Sequence, residues 1–188
     1  HINHPSGAPF IVMEPMSGDM EDKSFTLAQI DKIMKGIDDA MSCMDPYLYS
    51  DLKPTNLLYK ELDNGDIRWW FGDIGSICFT KSQQGRDSCL FTFPNLADKN
   101  KRSERAVERI YEYAYLVTYY ILYLKNRDID TKDLPKNAPP YHKTTRKERL
   151  EFYDALSMYI KNPLNRQKPQ IYYKIESIIQ RMYRLDYR

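Results

Sequence analysis

The sequence has little of several features that would assign it to a specialised class of protein. It contains only three cysteines, and no two of them form a CxxC pair. Neither a zinc cage nor a disulfide framework is therefore predicted, and the reducing interior of a cell fits best. No apolar run approaches the roughly 20 residues that span a bilayer, and the N-terminus lacks the basic-then-apolar pattern of a signal peptide. We expect an intracellular, cytoplasmic protein.

An excess of charge of one sign is also lacking. The 28 Lys and Arg residues nearly balance the 26 Asp and Glu residues, which gives a net charge of +2. This balance argues against a nucleic-acid or membrane surface. The 42% hydrophobic content of the 188 residues is enough to bury one core. A single folded domain is therefore predicted.

Apolar residues recur at helical spacing over much of the chain, and Ser24 or Thr26 can cap the first helix. The four helical segments are 27–41, 104–124, 150–160 and 171–182. Strand signals are fewer. A short apolar run at 10–13 predicts a strand that leads into a hinge, and Asn64-Gly65 between two apolar runs predicts a β-hairpin over 57–71. The predicted fold class is mainly α (α+β) with a short β-hairpin.

Two strings of polar residues flank the predicted hairpin. Asp51-Leu52-Lys53-Pro54-Thr55-Asn56 precedes it, and Asp73-Ile74-Gly75 follows it. A lone aspartate in such a place is more often a turn or capping residue, but the joint spacing favours a functional role. Phosphoryl transfer needs this kind of set: a carboxylate to orient the attacking hydroxyl, a cation to offset phosphate charge, and oxygen ligands for magnesium.

These strings resemble the catalytic loop and the metal-binding motif of the eukaryotic-type protein kinases. The family pattern HRDLKxxN appears as residues 49–56, and DFG appears as residues 73–75. A lysine two places after the catalytic aspartate is similar to the serine/threonine kinases rather than the tyrosine kinases. The resemblance implies a protein-kinase-like C-terminal lobe that uses ATP and Mg²⁺. The lobe would transfer the γ-phosphate of ATP to a hydroxyl of a protein substrate, and the resemblance also implies a protein substrate or partner protein as the binding partner.

The resemblance also implies a role for each matching polar residue. Asp51 would orient the substrate hydroxyl, and Lys53 would neutralise charge on the transferring phosphate. Asn56 and Asp73 would hold the magnesium ion. These four residues are the catalytic and metal-binding candidates.

The nucleotide candidates follow from the same resemblance. The segment from Val12 to Met16 is similar to the end of the last small-lobe strand and the hinge of a kinase. Met13 would then be the gatekeeper, and the backbones of Glu14 and Met16 would contact adenine. Further along, Asp19 would lie near the ribose and Leu58 beneath the adenine ring.

Domain boundaries follow as well. Residues 1–20 would be the last small-lobe strand and the hinge, and residues 21–188 the large lobe, cut short at its end. Nothing before Phe10 supplies a glycine-rich loop, a phosphate-binding lysine or its glutamate partner. The small lobe is therefore largely absent from this sequence, and we expect it in the same parent chain or in a partner chain.

Several residues depart from the kinase pattern. Tyr49 and Ser50 replace the histidine and arginine of the catalytic loop, and Ile74 replaces the phenylalanine of DFG. The segment 93–96 replaces the APE motif and has no glutamate. Two alternatives to an active kinase therefore stay open: a pseudokinase or kinase mimic that acts as a binding scaffold, and a structural protein of a large assembly. The composition, rich in Tyr, Lys and Ile, resembles kinases encoded by large DNA viruses, which would place the protein in a host cell or a virion.

Overall fold

The computed structural model describes residues 14–44, 47–49, 51–74, 77–79, 104–126, 144–161 and 170–186. The helical part of the predicted fold class is confirmed, because this part of the chain is mainly helical. Its helices are α1 (Leu27–Met44), α2 (Glu104–Leu124), α3 (Arg146–Lys161) and α4 (Gln170–Asp186). None of the described helices is long and apolar enough to cross a membrane.

Two of the helices begin with reciprocal side-chain caps. The Thr26 hydroxyl accepts the Gln29 backbone N–H at 3.2 Å, and the Gln29 side-chain oxygen accepts the Thr26 N–H at 3.0 Å. Thr145 and Glu148 make the same pair of bonds ahead of α3, at 3.2 and 2.6 Å. Each pair satisfies two of the backbone donors that a helix start leaves without intrahelical partners, which explains why these helices begin where they do.

The predicted hairpin is confirmed and gains a third strand. Strand β3 (Leu57–Glu61) pairs antiparallel with β4 (Ile67–Phe71), and the short strand β1 (Gly18–Asp19) pairs with the other edge of β3. Gly65 lies in the hairpin turn with φ of +77°, a conformation that glycine adopts without steric cost. A second small pair joins β2 (Tyr47–Tyr49) to β5 (Ile77–Phe79).

The core lies where α1, α2 and α4 meet, with α3 packed on α4 and the inner face of the hairpin on α1. The apolar residues that recur at helical spacing in the sequence lie on the buried faces of the helices. On α1, for example, Ile30, Ile33 and Ile37 are fully buried. Tyrosines supply much of the core volume. Fully or almost fully buried tyrosines are Tyr49, Tyr113, Tyr115, Tyr120 and Tyr153.

An ion pair fixes the end of α4 to the start of α3. The Arg149 guanidinium donates to both carboxylate oxygens of Asp186, at 2.6 and 3.0 Å, and the Tyr153 hydroxyl donates to the same carboxylate at 3.1 Å. Both charged side chains are largely buried, with 13% and 5% of their surface exposed. Because the carboxylate receives three hydrogen bonds, the pair compensates the cost of removing two charges from water.

Candidate functional site

The polar string at 51–56 forms a loop that folds back on itself. Pro54 begins a single 3-10 turn that ends at Asn56, and Lys53, which precedes the proline, is extended. The residue before a proline is restricted to such extended conformations. The Asn56 backbone N–H closes the turn by donating to the Lys53 carbonyl at 3.0 Å. The turn therefore returns Asn56 to the vicinity of Asp51.

Asp51, Lys53 and Asn56 are joined by hydrogen bonds. The Lys53 ammonium donates to Asp51 Oδ2 at 2.7 Å. The Asn56 amide nitrogen donates to the same oxygen at 2.8 Å and to the Asp51 carbonyl at 2.9 Å. The Asp51 side chain keeps 26% of its surface exposed, and Lys53 keeps 48%. Two of the catalytic candidates and one of the metal candidates therefore form one cluster that solvent and a substrate can reach.

The orientation of the Asn56 amide decides which of its atoms a metal could use. Both hydrogen bonds to Asp51 are made by the amide nitrogen. The amide oxygen lies on the opposite side of the same planar group, so it is directed away from Asp51. Amide and carboxylate oxygens are ligands that Mg²⁺ accepts, so Asn56 fits the metal-binding role that the sequence predicted.

The second metal candidate, Asp73, is placed by the residue before it. The Gly72 N–H donates to the Asn56 carbonyl at 2.7 Å, and the Gly72 carbonyl accepts a hydrogen bond from the buried hydroxyl of Tyr49. A side chain at Gly72 would begin only 3.4 Å from the Asn56 carbonyl oxygen and 3.3 Å from Leu58 Cγ. The backbone of Gly72 is thus held against the 51–56 loop, and Asp73 is the next residue in the chain.

Asp73 itself has an unusual backbone conformation. Its φ is +44°, the one positive value among the described residues other than glycine. L-residues pay a steric cost in this region, although aspartate tolerates it better than most. Such conformations persist where the surroundings enforce them, and they cluster at active sites and ligand clamps. The residue before it, Gly72, is fixed by two hydrogen bonds.

The described nucleotide candidates lie on β3 itself and along the edge of β3 that pairs with β1. The antiparallel pairing of β1 with β3 sets Asp19 directly opposite Leu58. Glu14 forms an ion pair with Lys60, which holds the pKa of the Glu14 carboxyl below its usual range. Met16 lies between Glu14 and Asp19 in sequence and is partly buried. Met13 lies outside the described residues.

The Asp19 carboxylate has a local role as well as the predicted one. Its Oδ1 accepts the Glu21 backbone N–H at 2.8 Å, which closes a turn at the end of β1. The following residue, Met20, is fully buried and donates its N–H to the Leu57 carbonyl at 2.9 Å. The end of the predicted hinge segment is therefore hydrogen-bonded to β3, the strand that follows the 51–56 loop.

Sequence reasoning missed two contributors to this site. Tyr49 was treated as a departure from the kinase pattern, yet its hydroxyl holds the Gly72 carbonyl and its ring packs on Phe71 with centroids 4.5 Å apart. Gly72 was not considered, although a side chain there would begin 3.4 Å from the Asn56 carbonyl oxygen. The sequence signal for both residues is position, because Gly72 directly precedes Asp73 and Tyr49 lies two residues before Asp51.

The donor set defines what kind of metal site this could be. Among the described residues, no group of three or more His, Cys, Asp or Glu side chains could hold a metal ion. A protein-only metal cage is therefore not formed by these residues. An ion at Asn56 and Asp73 would need further oxygens from a ligand and from water, which is how Mg²⁺ is commonly bound together with substrate phosphates.

Comparisons with protein-family models, with curated proteins and with solved structures gave no match. The resemblance to protein kinases therefore rests on the residues of the two polar strings and their spacing, and the arrangement of those residues is the basis for the function proposed below.

Proposed function

We propose that this chain is the large lobe of an ATP- and magnesium-dependent protein serine/threonine kinase. The observation that carries the proposal is the joining of the two polar strings. Asp51, Lys53 and Asn56 form one hydrogen-bonded cluster, and the Gly72 N–H donates to the Asn56 carbonyl, which joins the backbone just before Asp73 to the same loop. A carboxylate, a cation and two oxygen ligands at one place are the requirements of phosphoryl transfer.

Each residue has a distinct task in this proposal. Bound Mg–ATP would supply the phosphoryl group and a divalent charge that offsets the phosphate oxygens. Asn56 Oδ1 and the Asp73 carboxylate would hold the ion. Asp51 accepts a hydrogen bond from the substrate hydroxyl, orients it and takes its proton as the hydroxyl oxygen bonds to the γ-phosphorus. The bond between the γ-phosphorus and the oxygen of ADP breaks in the same transfer, ADP leaves, and Lys53 offsets charge on the transferring group.

The phosphate clamp belongs to a small lobe in this proposal, supplied by the same parent chain or by a partner chain. Phosphoryl transfer depends chiefly on positioning and electrostatic stabilisation. Efficient transfer is therefore expected of the assembled two-lobed protein. Nucleotide and metal binding, in contrast, are expected of the 188-residue chain itself, with lower affinity.

A pseudokinase is the second candidate, and one observation favours it. In the structure Asp51 Oδ2 already receives hydrogen bonds from Lys53 and Asn56. A carboxylate satisfied in this way is a structural anchor for the loop and can serve a binding scaffold equally well. This candidate predicts nucleotide or partner binding without transfer of phosphate.

Calorimetric titration of the chain with Mg–ATP tests the proposal. Asp73→Asn, which keeps the shape and removes the charge, should weaken binding about tenfold or more, equivalent to about 1.4 kcal/mol. Asp63→Asn is the matched control, because Asp63 is exposed in the hairpin turn. Equal affinity of both variants for Mg–ATP would refute the metal-binding role of Asp73.

A transfer assay separates the two candidates. The assembled protein, with its small lobe, is incubated with Mg–ATP and a generic basic protein, beside its Asp51→Asn variant. Transfer that Asp51→Asn abolishes supports the kinase. Binding of Mg–ATP without any transfer supports the pseudokinase.

A further inference from the structure

The three-stranded sheet has two faces of different character. Side chains at directly opposed positions share a face, so one row consists of Asp19, Leu58 and Trp70. The neighbouring row, Tyr59 and Trp69, points to the opposite face. The first row contains the predicted ribose and adenine contacts, and Trp70 adds an indole to it.

The burial of the two rows differs accordingly. Trp69 and Phe71 pack against the core, and Tyr59 is a core residue itself. Leu58 and Trp70 are both partly buried, but neither belongs to the core cluster formed by the described residues. Packing against the core therefore does not explain why a tryptophan is present at position 70. Its indole lies on the face of the sheet that carries Asp19 and Leu58.

The row also lies at a suitable distance from the metal candidates. Leu58 follows Asn56 by two strand residues, a rise of roughly 7 Å. On the neighbouring strand, Trp70 is followed by Phe71, and Gly72 and Asp73 come directly after the end of that strand. A ligand that lies flat on Leu58 and Trp70 can therefore extend along the strands toward Asn56 and Asp73.

We propose that Trp70 and Leu58 together form the floor of the nucleobase site, with the indole extending the apolar surface to the side away from Asp19. This inference rests on the proposed function, since it assigns the base of the same nucleotide. The indole offers a large π surface, on which the flat face or the edge of a purine packs favourably. Trp70 would act as a determinant of affinity and base preference and would take no part in the chemistry.

A glycine and two charged residues are neighbours of Leu58 and Trp70 on this face. Gly72 follows Trp70 by two residues, and a side chain there would begin 3.3 Å from Leu58 Cγ. Because Gly72 has no side chain, this position leaves Leu58 uncovered. The next row on this face carries Lys60 and Arg68, and the Lys60 charge is paired with Glu14.

Tryptophan fluorescence tests the proposal, because the chain has only two tryptophans. Trp69→Phe leaves Trp70 as the sole reporter, and Trp70→Phe leaves Trp69. Titration with Mg–ATP should change the emission of the Trp69→Phe variant and leave that of the Trp70→Phe variant unchanged. A change confined to the variant that retains Trp69 would overturn the proposal.

Affinity measurements separate this inference from the proposed function. Trp70→Ala should weaken Mg–ATP binding about tenfold, within the range found for loss of a stacked aromatic residue, and should not alter binding of magnesium tripolyphosphate. Trp70→Phe should restore most of the affinity. If Asp73→Asn weakens Mg–ATP binding but Trp70→Ala does not, the base contact is wrong and the proposed function stands. If the unmodified chain binds no Mg–ATP, both are overturned.

Discussion

The hydroxyl of Tyr49 connects two parts of the candidate site that are far apart in sequence. It is fully buried and donates to the carbonyl of Gly72, the residue that fixes the backbone of Asp73. A buried carbonyl that loses its donor costs about 1–3 kcal/mol. Tyr49→Phe should therefore lower the free energy of unfolding by roughly 1–2 kcal/mol and also weaken Mg–ATP binding. Urea unfolding and calorimetry measure the two effects.

Tyr59→Phe is the matched control for this prediction. Tyr59 is also buried, and within the described residues its hydroxyl has no hydrogen-bond partner. Loss of that hydroxyl should change neither stability nor nucleotide affinity by a comparable amount. If Tyr49→Phe and Tyr59→Phe behave alike, the Tyr49 hydroxyl does not position Asp73.

Single residues at this site were partly predictable from sequence. The joint spacing of the polar residues favoured a shared role for them, and the structure brings Asp51, Lys53 and Asn56 into contact. The role of Tyr49 was not predictable, because its hydrogen bond crosses 23 residues and depends on how the hairpin packs. The left-handed backbone of Asp73 likewise follows from tertiary constraints on Gly72.

At the scale of elements, the contact between α1 and the hairpin depends on one glycine. A Cβ at Gly36 would lie 2.9 Å from Trp69 Cζ2, closer than such atoms approach. The indole cannot withdraw easily because it also packs edge-to-face on Phe71, with centroids 5.2 Å apart. Gly36 therefore allows the hairpin to rest on the helix.

Gly36→Ala sets two effects against each other. Alanine favours a helix interior by about 1 kcal/mol over glycine, whereas overpacking costs about 1–3 kcal/mol. We expect the clash to dominate and the free energy of unfolding to fall. In the Trp69→Phe background the clash is relieved, so the same substitution should become stabilising. Urea unfolding of the four proteins in this double-mutant cycle measures the coupling. Stabilisation by Gly36→Ala in the unmodified background would contradict the packing described.

The long helices and the hairpin were predicted well from the sequence, and the shortest strands were not. The four helices and the hairpin follow from periodic apolar residues and from the Asn-Gly turn, which are local signals. Strands β1, β2 and β5 contain only two or three residues each. Such strands show no periodicity, because they exist only through hydrogen bonds to partners distant in sequence.

At the scale of the whole molecule, the tyrosine-rich core makes stability sensitive to alkaline pH. Burial raises the pKa of Tyr113 to about 12, and it raises the pKa values of Tyr115 and Tyr153 further, with contributions from Asp38 and Asp186 respectively. Above pH 10 the unfolded chain loses these protons while the folded protein retains them. Unfolding then releases protons, so the free energy of unfolding falls as pH rises from about 10 toward 12.

Urea unfolding between pH 9 and pH 11.5 measures this fall. Each buried tyrosine adds up to about 1.4 kcal/mol per pH unit to the slope, so Tyr113→Phe should make the slope shallower by about that amount. Tyr173→Phe is the control, because the Tyr173 ring is 70% exposed and its loss should leave the slope unchanged. A slope that neither substitution alters would mean that Tyr113 is not protected from ionisation by the fold.

The central claim, that Asn56 and Asp73 hold a metal ion bound together with a nucleotide, is tested most directly by paramagnetic NMR. The isotope-labelled chain is titrated with ADP and Mn²⁺ in place of Mg²⁺. Signals of the Asn56 side-chain amide and of the Gly72 and Asp73 backbone amides should broaden strongly. Those of Asn64, in the hairpin turn five strand residues or roughly 17 Å away, should stay sharp. Broadening that is absent at Asn56 and Asp73, or that is equal at Asn64, would contradict the claim.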